Sequence, residues 1–157
     1  VAEYKKLENQ PLKFVLAEFR FSPVMQIVKY IPEIQEALRK QYPIKDERSE
    51  QTVQVQPSGI AVSAIDRWAF ISADKKNAID INQERLVYIT AEYPRFAGFS
   101  DACKQAIEIL VNIVEPGLIL RIGLRYSDLV MVDDDEDIIG LVNEHFGLPN
   151  CIESLGI

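Results

Sequence analysis

Two stretches of the chain, Leu12–Val24 and Leu118–Val130, read as the same kind of strand, and this repetition limits the folds open to it. Setting Glu18–Phe19–Arg20–Phe21–Ser22 against Gly123–Leu124–Arg125–Tyr126–Ser127 matches Phe19 with Leu124, Phe21 with Tyr126 and Arg20 with Arg125. Successive side chains on a strand point to opposite faces, so both copies put their apolar pair on one face and their arginine on the other. Each stretch is followed, after a short break, by apolar residues at helical spacing. A repeat distance of about 105 residues is far longer than a solenoid period. It suits duplication of a whole structural unit, although two amphipathic strands can also resemble each other by chance.

The segment between the two copies supplies the rest of that unit. Leu12–Phe21 alternates, with Val15, Ala17, Phe19 and Phe21 on one face and Leu12, Phe14, Leu16, Glu18 and Arg20 on the other. Ser22–Pro23 ends the strand, because proline cannot donate to a ladder. Ile27, Ile31, Ile34 and Leu38 then recur at helical spacing, giving a helix from about Ile27 or Pro32 to Gln41. Four strands follow. Thr52–Gln56 is the first; Ile60–Ile65 and Trp68–Ser72 are two short strands or one bent strand; Ala78–Asn82 and Arg85–Glu92 form a hairpin around Gln83–Glu84. A second helix is expected from Phe99 or Ser100, with Ser100–Asp101 as its cap and Ala102, Cys103, Ala106, Ile107, Leu110 and Val114 on its apolar stripe. Pro116–Gly117 stops it. A long strand over Leu118–Val132 has Leu120, Ile122, Leu124 and Tyr126 on its core face and Arg121, Gly123, Arg125 and Ser127 on the other. A helix over Asp134–Phe146 closes the series.

The order is β-α-β-β-β-β-α, then β-α. We therefore expect an α+β fold, an antiparallel sheet with helices on one face. Residues 1–10 form an arm, 11–115 one β-α-β4-α unit, and 116–157 the first strand and helix of a truncated second unit packed on the first. The element order resembles the TATA-binding-protein-like fold, in which two copies meet through their first strands and the face opposite the helices is open. That is a likeness of fold and transfers no activity.

Three blocks resemble a sporadically distributed bacterial family of uncharacterised proteins. Pro11, Leu12, Val15, Glu18, Arg20 and Phe21 match its Pro-Leu…Glu-x-Arg-Phe opening. Trp68–Ala69–Phe70 with Asp74 is similar to its Trp-x-Phe…Asp segment, and Arg121–Ile122–Gly123–Leu124–Arg125–Tyr126 to its Arg-Ile-Gly-Leu-Arg-Tyr segment. Phe14 stands where an acidic residue is common, and Ser127–Asp128–Leu129 replaces an Asn-Arg-containing continuation. The resemblance implies the fold and leaves the activity open.

Charge and residue types narrow the chemistry. The net charge is −7. A nucleic-acid binder needs a cationic footprint to release counterions, so nucleic acid is disfavoured. No apolar run approaches the roughly 18 residues of a membrane span, and the opening residues lack the pattern of a secretory leader. A cytoplasmic protein is the expectation. Two cysteines, Cys103 and Cys151, are too few for a disulfide framework, and Cys103 reads as a buried structural thiol. His145, the single histidine, falls on the apolar stripe of the last helix, away from any nucleophile. Asp133, Asp135, Asp137 and Glu144 mimic calcium-loop spacing. Ile138 occupies the position that needs glycine, so the carboxylates read as a helix start, and no metal or other cofactor is expected.

One constellation remains. Glu18, Arg20, Arg121 and Arg125 all project to one sheet face. Arginine holds a carboxylate or phosphate through two parallel bonds. Cross-strand Glu–Arg pairing on a solvated face accounts for the set; a site for a protein partner or a small anionic ligand is the sharper reading. The chain is thus expected to be a non-enzymatic binding or interaction module using an open sheet face. The alternative is a small-molecule-binding or hydrolytic domain with a pocket between sheet and helix. A homodimer through the truncated second unit is a further expectation.

Overall fold

The computed structural model describes residues 11–56 and 59–129, and the side chains of these except at 50–64. The arm at 1–10, the turn at Pro57–Ser58, the helix expected over Asp134–Phe146 with His145, the acidic run before it, and Cys151 lie outside the described residues.

Strand β1 (Leu12–Phe21) is followed by a 3-10 turn (Ile27–Lys29) and helix α1 (Ile31–Leu38). Strands β2 (Ile44–Gln56), β3 (Gly59–Ile71), β4 (Asn77–Ile81) and β5 (Arg85–Thr90) come next, then helix α2 (Arg95–Val114) and strand β6 (Ile119–Asp128). The strands form one antiparallel sheet in the order β2-β3-β4-β5-β1-β6. The α+β class is therefore the observed one.

The alternation in β1 places its apolar face under the helices. Val15, Ala17, Phe19 and Phe21 are all buried, and they meet Ile31, Ile34 and Leu38 of α1 and Phe99, Cys103, Ala106, Leu110 and Val114 of α2 in one core. Trp68 and Phe70 of β3, Ile79 and Ile81 of β4, and Leu86 and Tyr88 of β5 complete it. Pro32 lies in the first turn of α1, where its missing N–H costs nothing. Glu115 ends α2 in the left-handed region, at φ 49°, with its N–H on the Val111 carbonyl. At the β4–β5 turn the Asn82 side chain accepts from the amides of Glu84 and Arg85, both at 2.9 Å, and this sets the hairpin.

Several boundaries differ from the sequence expectation. Strand β2 starts at Ile44, eight residues before Thr52, because its charged opening pairs with β3; it also carries ion pairs of Lys45 to Glu47 at 3.2 Å and Arg48 to Asp46 at 2.6 Å. Strand β3 runs without a break through Asp66–Arg67, so of the two readings of Ile60–Ser72 the single strand is the observed one. Helix α2 begins at Arg95, a turn before Ser100, and no side chain caps it; Asp101 instead pairs with Lys104 at 3.2 Å within the helix.

The largest difference concerns β6. Leu120, Ile122, Leu124 and Tyr126 lie on the helix side of the sheet, since Val15 pairs with Tyr126, Ala17 with Leu124 and Phe19 with Ile122. They are not core residues among the described ones, being 47–63% exposed. Among the described residues, helices α1 and α2 lie over the neighbouring strands and do not cover this one, which meets Tyr93, whose hydroxyl lies 3.1 Å from that of Tyr126.

The fully buried Phe70 on β3 tests the core assignment. Phe70→Ala should lower the unfolding free energy by about 3–5 kcal/mol in urea titrations. A change below about 1 kcal/mol would place Phe70 outside the core.

Candidate functional site

The sheet face away from the helices carries the polar groups, and strand register puts them in rows. Arg48 of β2 lies opposite Arg67 of β3, Arg85 of β5 opposite Arg20 of β1, and Arg20 opposite Arg121 of β6. Trp68 pairs with Ile81 and the Asn82 amide bonds the Arg85 carbonyl, so Asn82 fills the β4 position of the same row. Five arginines thus share one level across the sheet, a span of roughly 24 Å at the usual strand spacing. The next row holds Asp46, Ala69, Asp80, Val87, Glu18 and Gly123; the one beyond holds Ile44, Ile71, Ala78, Ile89, Leu16 and Arg125.

The carboxylates organise the guanidiniums unevenly. Asp80 takes two parallel bonds from Arg67, Nε at 3.2 Å and Nη2 at 2.9 Å. Asp46 takes Arg48. Glu18 has three arginines: Arg121 Nη2 donates to its Oε1 at 2.6 Å, Arg20 Nε donates to the same oxygen at 3.2 Å, and Arg85 Nη1 lies 3.6 Å from Oε2. The Glu18 side chain keeps only 16% of its exposure, while Arg121 keeps 64%. Burial pushes the Glu18 carboxyl up, but the bond from Arg121 and the charge and bond of Arg20 outweigh it and hold the group below its ordinary value. The Nε of Arg85 is buried with no hydrogen-bond partner among the described residues.

Glu18, Arg20, Arg121 and Arg125 accordingly share one face. Glu18 gathers Arg20 and Arg121; Arg125 stands apart and makes no ion pair among the described residues. Arg20 and Arg125 do not pair with each other. They flank the central Glu18–Gly123 pair on opposite sides. Sequence reasoning missed Arg48, Arg67 and Arg85, with Asp46 and Asp80. The alternation Asp46-x-Arg48 is the available signal, but it precedes Thr52, where the sequence expectation starts the strand.

Depressions on this face are bordered by described residues. One, of about 220 Å³, is bordered by Arg48, Arg67, Asp80 and Ile89. Another, of about 280 Å³, is bordered by Leu16, Glu18, Arg121, Gly123 and Arg125. On the helix side an apolar groove of about 210 Å³ runs between α2 and β6, lined by Phe96, Phe99, Cys103, Ile107, Ile122 and Leu124. Burial pushes the Cys103 thiol up to about 11, so it stays protonated and is a poor nucleophile at neutral pH. Among the described residues no three His, Cys, Asp or Glu side chains converge as metal ligands, and no helix is long and apolar enough to cross a membrane.

A carboxyl held low in the fold contributes stability that is complete above its unfolded value and is lost as pH falls through its folded value. Urea titrations from about pH 7 to pH 3 should therefore show Glu18→Gln losing less stability on acidification than the parent chain. Parallel curves would show that Glu18 is not held by the arginines.

Comparison of the chain with family models, with curated proteins and with solved structures finds no match in any of the three.

Proposed function

We propose that this chain is a binding module whose working surface is the open sheet face and whose partner is anionic. The observation that carries this reading is the row of Arg48, Arg67, Arg85, Arg20 and Arg121, joined by Arg125 two rows away; within these three rows the carboxylates are Asp46, Asp80 and Glu18. A chain of net charge −7 has gathered six guanidiniums where its rows carry three carboxylates. Side chains on a sheet are held at fixed spacing by the ladder, so these cations are arranged before a partner arrives. Guanidiniums already bonded to one carboxylate retain donors for a second acceptor, because each has five N–H groups in a planar fork.

The duplication goes with this reading. It is supported by β1 and β6 lying side by side and antiparallel, with the matched positions Glu18 and Gly123 opposite each other in mid-strand. That is where a local twofold axis relating the two strands would pass. Kinship with the TATA-binding-protein-like fold and with the bacterial family named above is proposed on the same ground. The apolar side of β6, with Leu120, Ile122, Leu124 and Tyr126 exposed among the described residues, favours a second copy of this chain as an additional partner.

Polyglutamate is a suitable probe of the open face. Titrated into isotope-labelled protein at low salt, it should shift the amide signals of Leu16–Arg20 and Arg121–Arg125 and leave those around Phe96 and Ile107 unmoved. Raising salt should weaken the effect through screening. Shifts centred on the apolar groove, or none at all, would reject the open face as the binding surface. For the second copy, sedimentation should give a dimer that Ile122→Glu converts to monomer; equal masses for the two proteins would dismiss it.

A further inference from the structure

The charge on the open face is not spread evenly. At the β2–β3 end each arginine has its own carboxylate, Arg48 with Asp46 and Arg67 with Asp80. At the β5–β1–β6 end Arg85, Arg20 and Arg121 share Glu18 alone, and Arg125 has no ion pair among the described residues. Four guanidiniums there face one carboxylate. The surplus positive charge of the face is concentrated around the β1–β6 pairing.

The centre of that cluster is open. Gly123 lies opposite Glu18, and a Cβ built on it would meet nothing within 4 Å. Glycine is a poor strand residue, and this one sits where a side chain would have room. Its absence of a side chain leaves room on the floor of the 280 Å³ depression, which the Glu18 carboxylate also borders, its charge offset by its bonds to Arg121 and Arg20. Arg121 and Arg125 stand two residues to either side on the same face, each about 7 Å along the strand from Gly123, which is within reach of a long side chain. One wall is apolar: Leu16 pairs with Arg125, and the row continues from Leu16 to Ile89 and Ala78.

We propose that Gly123 is the seat of a phosphate monoester, held between Arg121 and Arg125, whose apolar body lies along Leu16 and Ile89. This rests on the open-face reading and specifies its ligand class. A phosphomonoester carries a charge of about −1.5 to −2 and three strong acceptor oxygens, which suits two guanidiniums approaching from opposite sides. A carboxylate offers one charge and two oxygens and meets only half of that demand. Glu18 acts as a positioning residue: it fixes Arg121 and Arg20 by bonds of 2.6 and 3.2 Å, and each guanidinium keeps further N–H donors for a ligand. Leu16 and Ile89 provide a surface for a carbon skeleton or ring beyond the ester oxygen. A phosphorylated small molecule with an apolar body therefore fits better than free phosphate.

Calorimetric titration of the full chain with phenyl phosphate, inorganic phosphate and benzoate tests this. Phenyl phosphate should bind about tenfold more tightly than inorganic phosphate, through apolar contact, and about tenfold more tightly than benzoate, through charge. Gly123→Leu fills the seat without changing any charge and should weaken phenyl phosphate at least about tenfold, as should Arg125→Ala. Both positions are at the surface, so both variants should melt within a few degrees of the parent chain. Polyglutamate binding should persist in Gly123→Leu. Absence of phenyl phosphate binding, or binding that Gly123→Leu leaves intact, overturns the seat; if polyglutamate still binds, the open-face reading stands without it. Failure of both probes removes both.

Discussion

The structure depends on β1 being paired on both edges. Antiparallel partners β5 and β6 hold it between them, so its ten residues have no freedom of register. A slip of one residue would turn Val15, Ala17, Phe19 and Phe21 out of the core and bury Glu18 and Arg20 beneath the helices. Isolated charges in such a core are costly, so the hydrophobic pattern of one strand fixes the orientation of the whole sheet. That orientation decides which side chains form the candidate site.

Electrostatics on the far face follow from the same register. Glu18 is brought to the centre of three arginines from its own strand and both neighbours. A carboxylate with 16% of its exposure left would be expensive if unpaired; surrounded by guanidiniums it is held ionised instead. The pairing also works in reverse. Like charges placed opposite each other across strands repel, and Arg20–Arg121 and Arg48–Arg67 are such pairs. The neighbouring row of Asp46, Asp80 and Glu18 offsets that repulsion in part, and the remainder is available to an anionic partner. The two faces of the sheet therefore divide the work, one for folding and one for charge.

Much of this was legible in the sequence. The alternation in Leu12–Phe21 identified a strand and its buried face because a half-buried strand has to alternate. The β-α-β4-α order followed from punctuation by Pro, Gly and Asn. A meeting of β1 and β6 is what the resemblance to a fold whose two copies join through their first strands implies, and the two strands are paired. What was not legible depends on contacts distant in the chain. The opening of β2 is a run of charges, Lys45–Asp46–Glu47–Arg48, and carries no hydrophobic signal; it becomes a strand because β3 pairs with it. Arg67 lies where the sequence leaves two strands or one bent strand open, so the arginine row cannot be assembled before the register of all six strands is known. The helix α2 start was misplaced because Ser100–Asp101 offered capping chemistry that the helix does not use. The exposure of the apolar side of β6 among the described residues could not be foreseen from its own residues, since their alternation is the same whether or not a helix covers them.

The central claim is that the arginines of the β1–β6 pairing form a preorganised anion-binding surface. Side-chain NMR of the guanidinium Nε–Hε groups reads it most directly, because each arginine reports for itself. On addition of an anionic probe the account predicts that the signals of Arg20, Arg121 and Arg125 shift together with one saturation curve. Those of Arg39 at the end of α1 and Arg95 at the start of α2, both away from the open face, should stay in place. Equal shifts for all five, or shifts confined to Arg39 and Arg95, would contradict it.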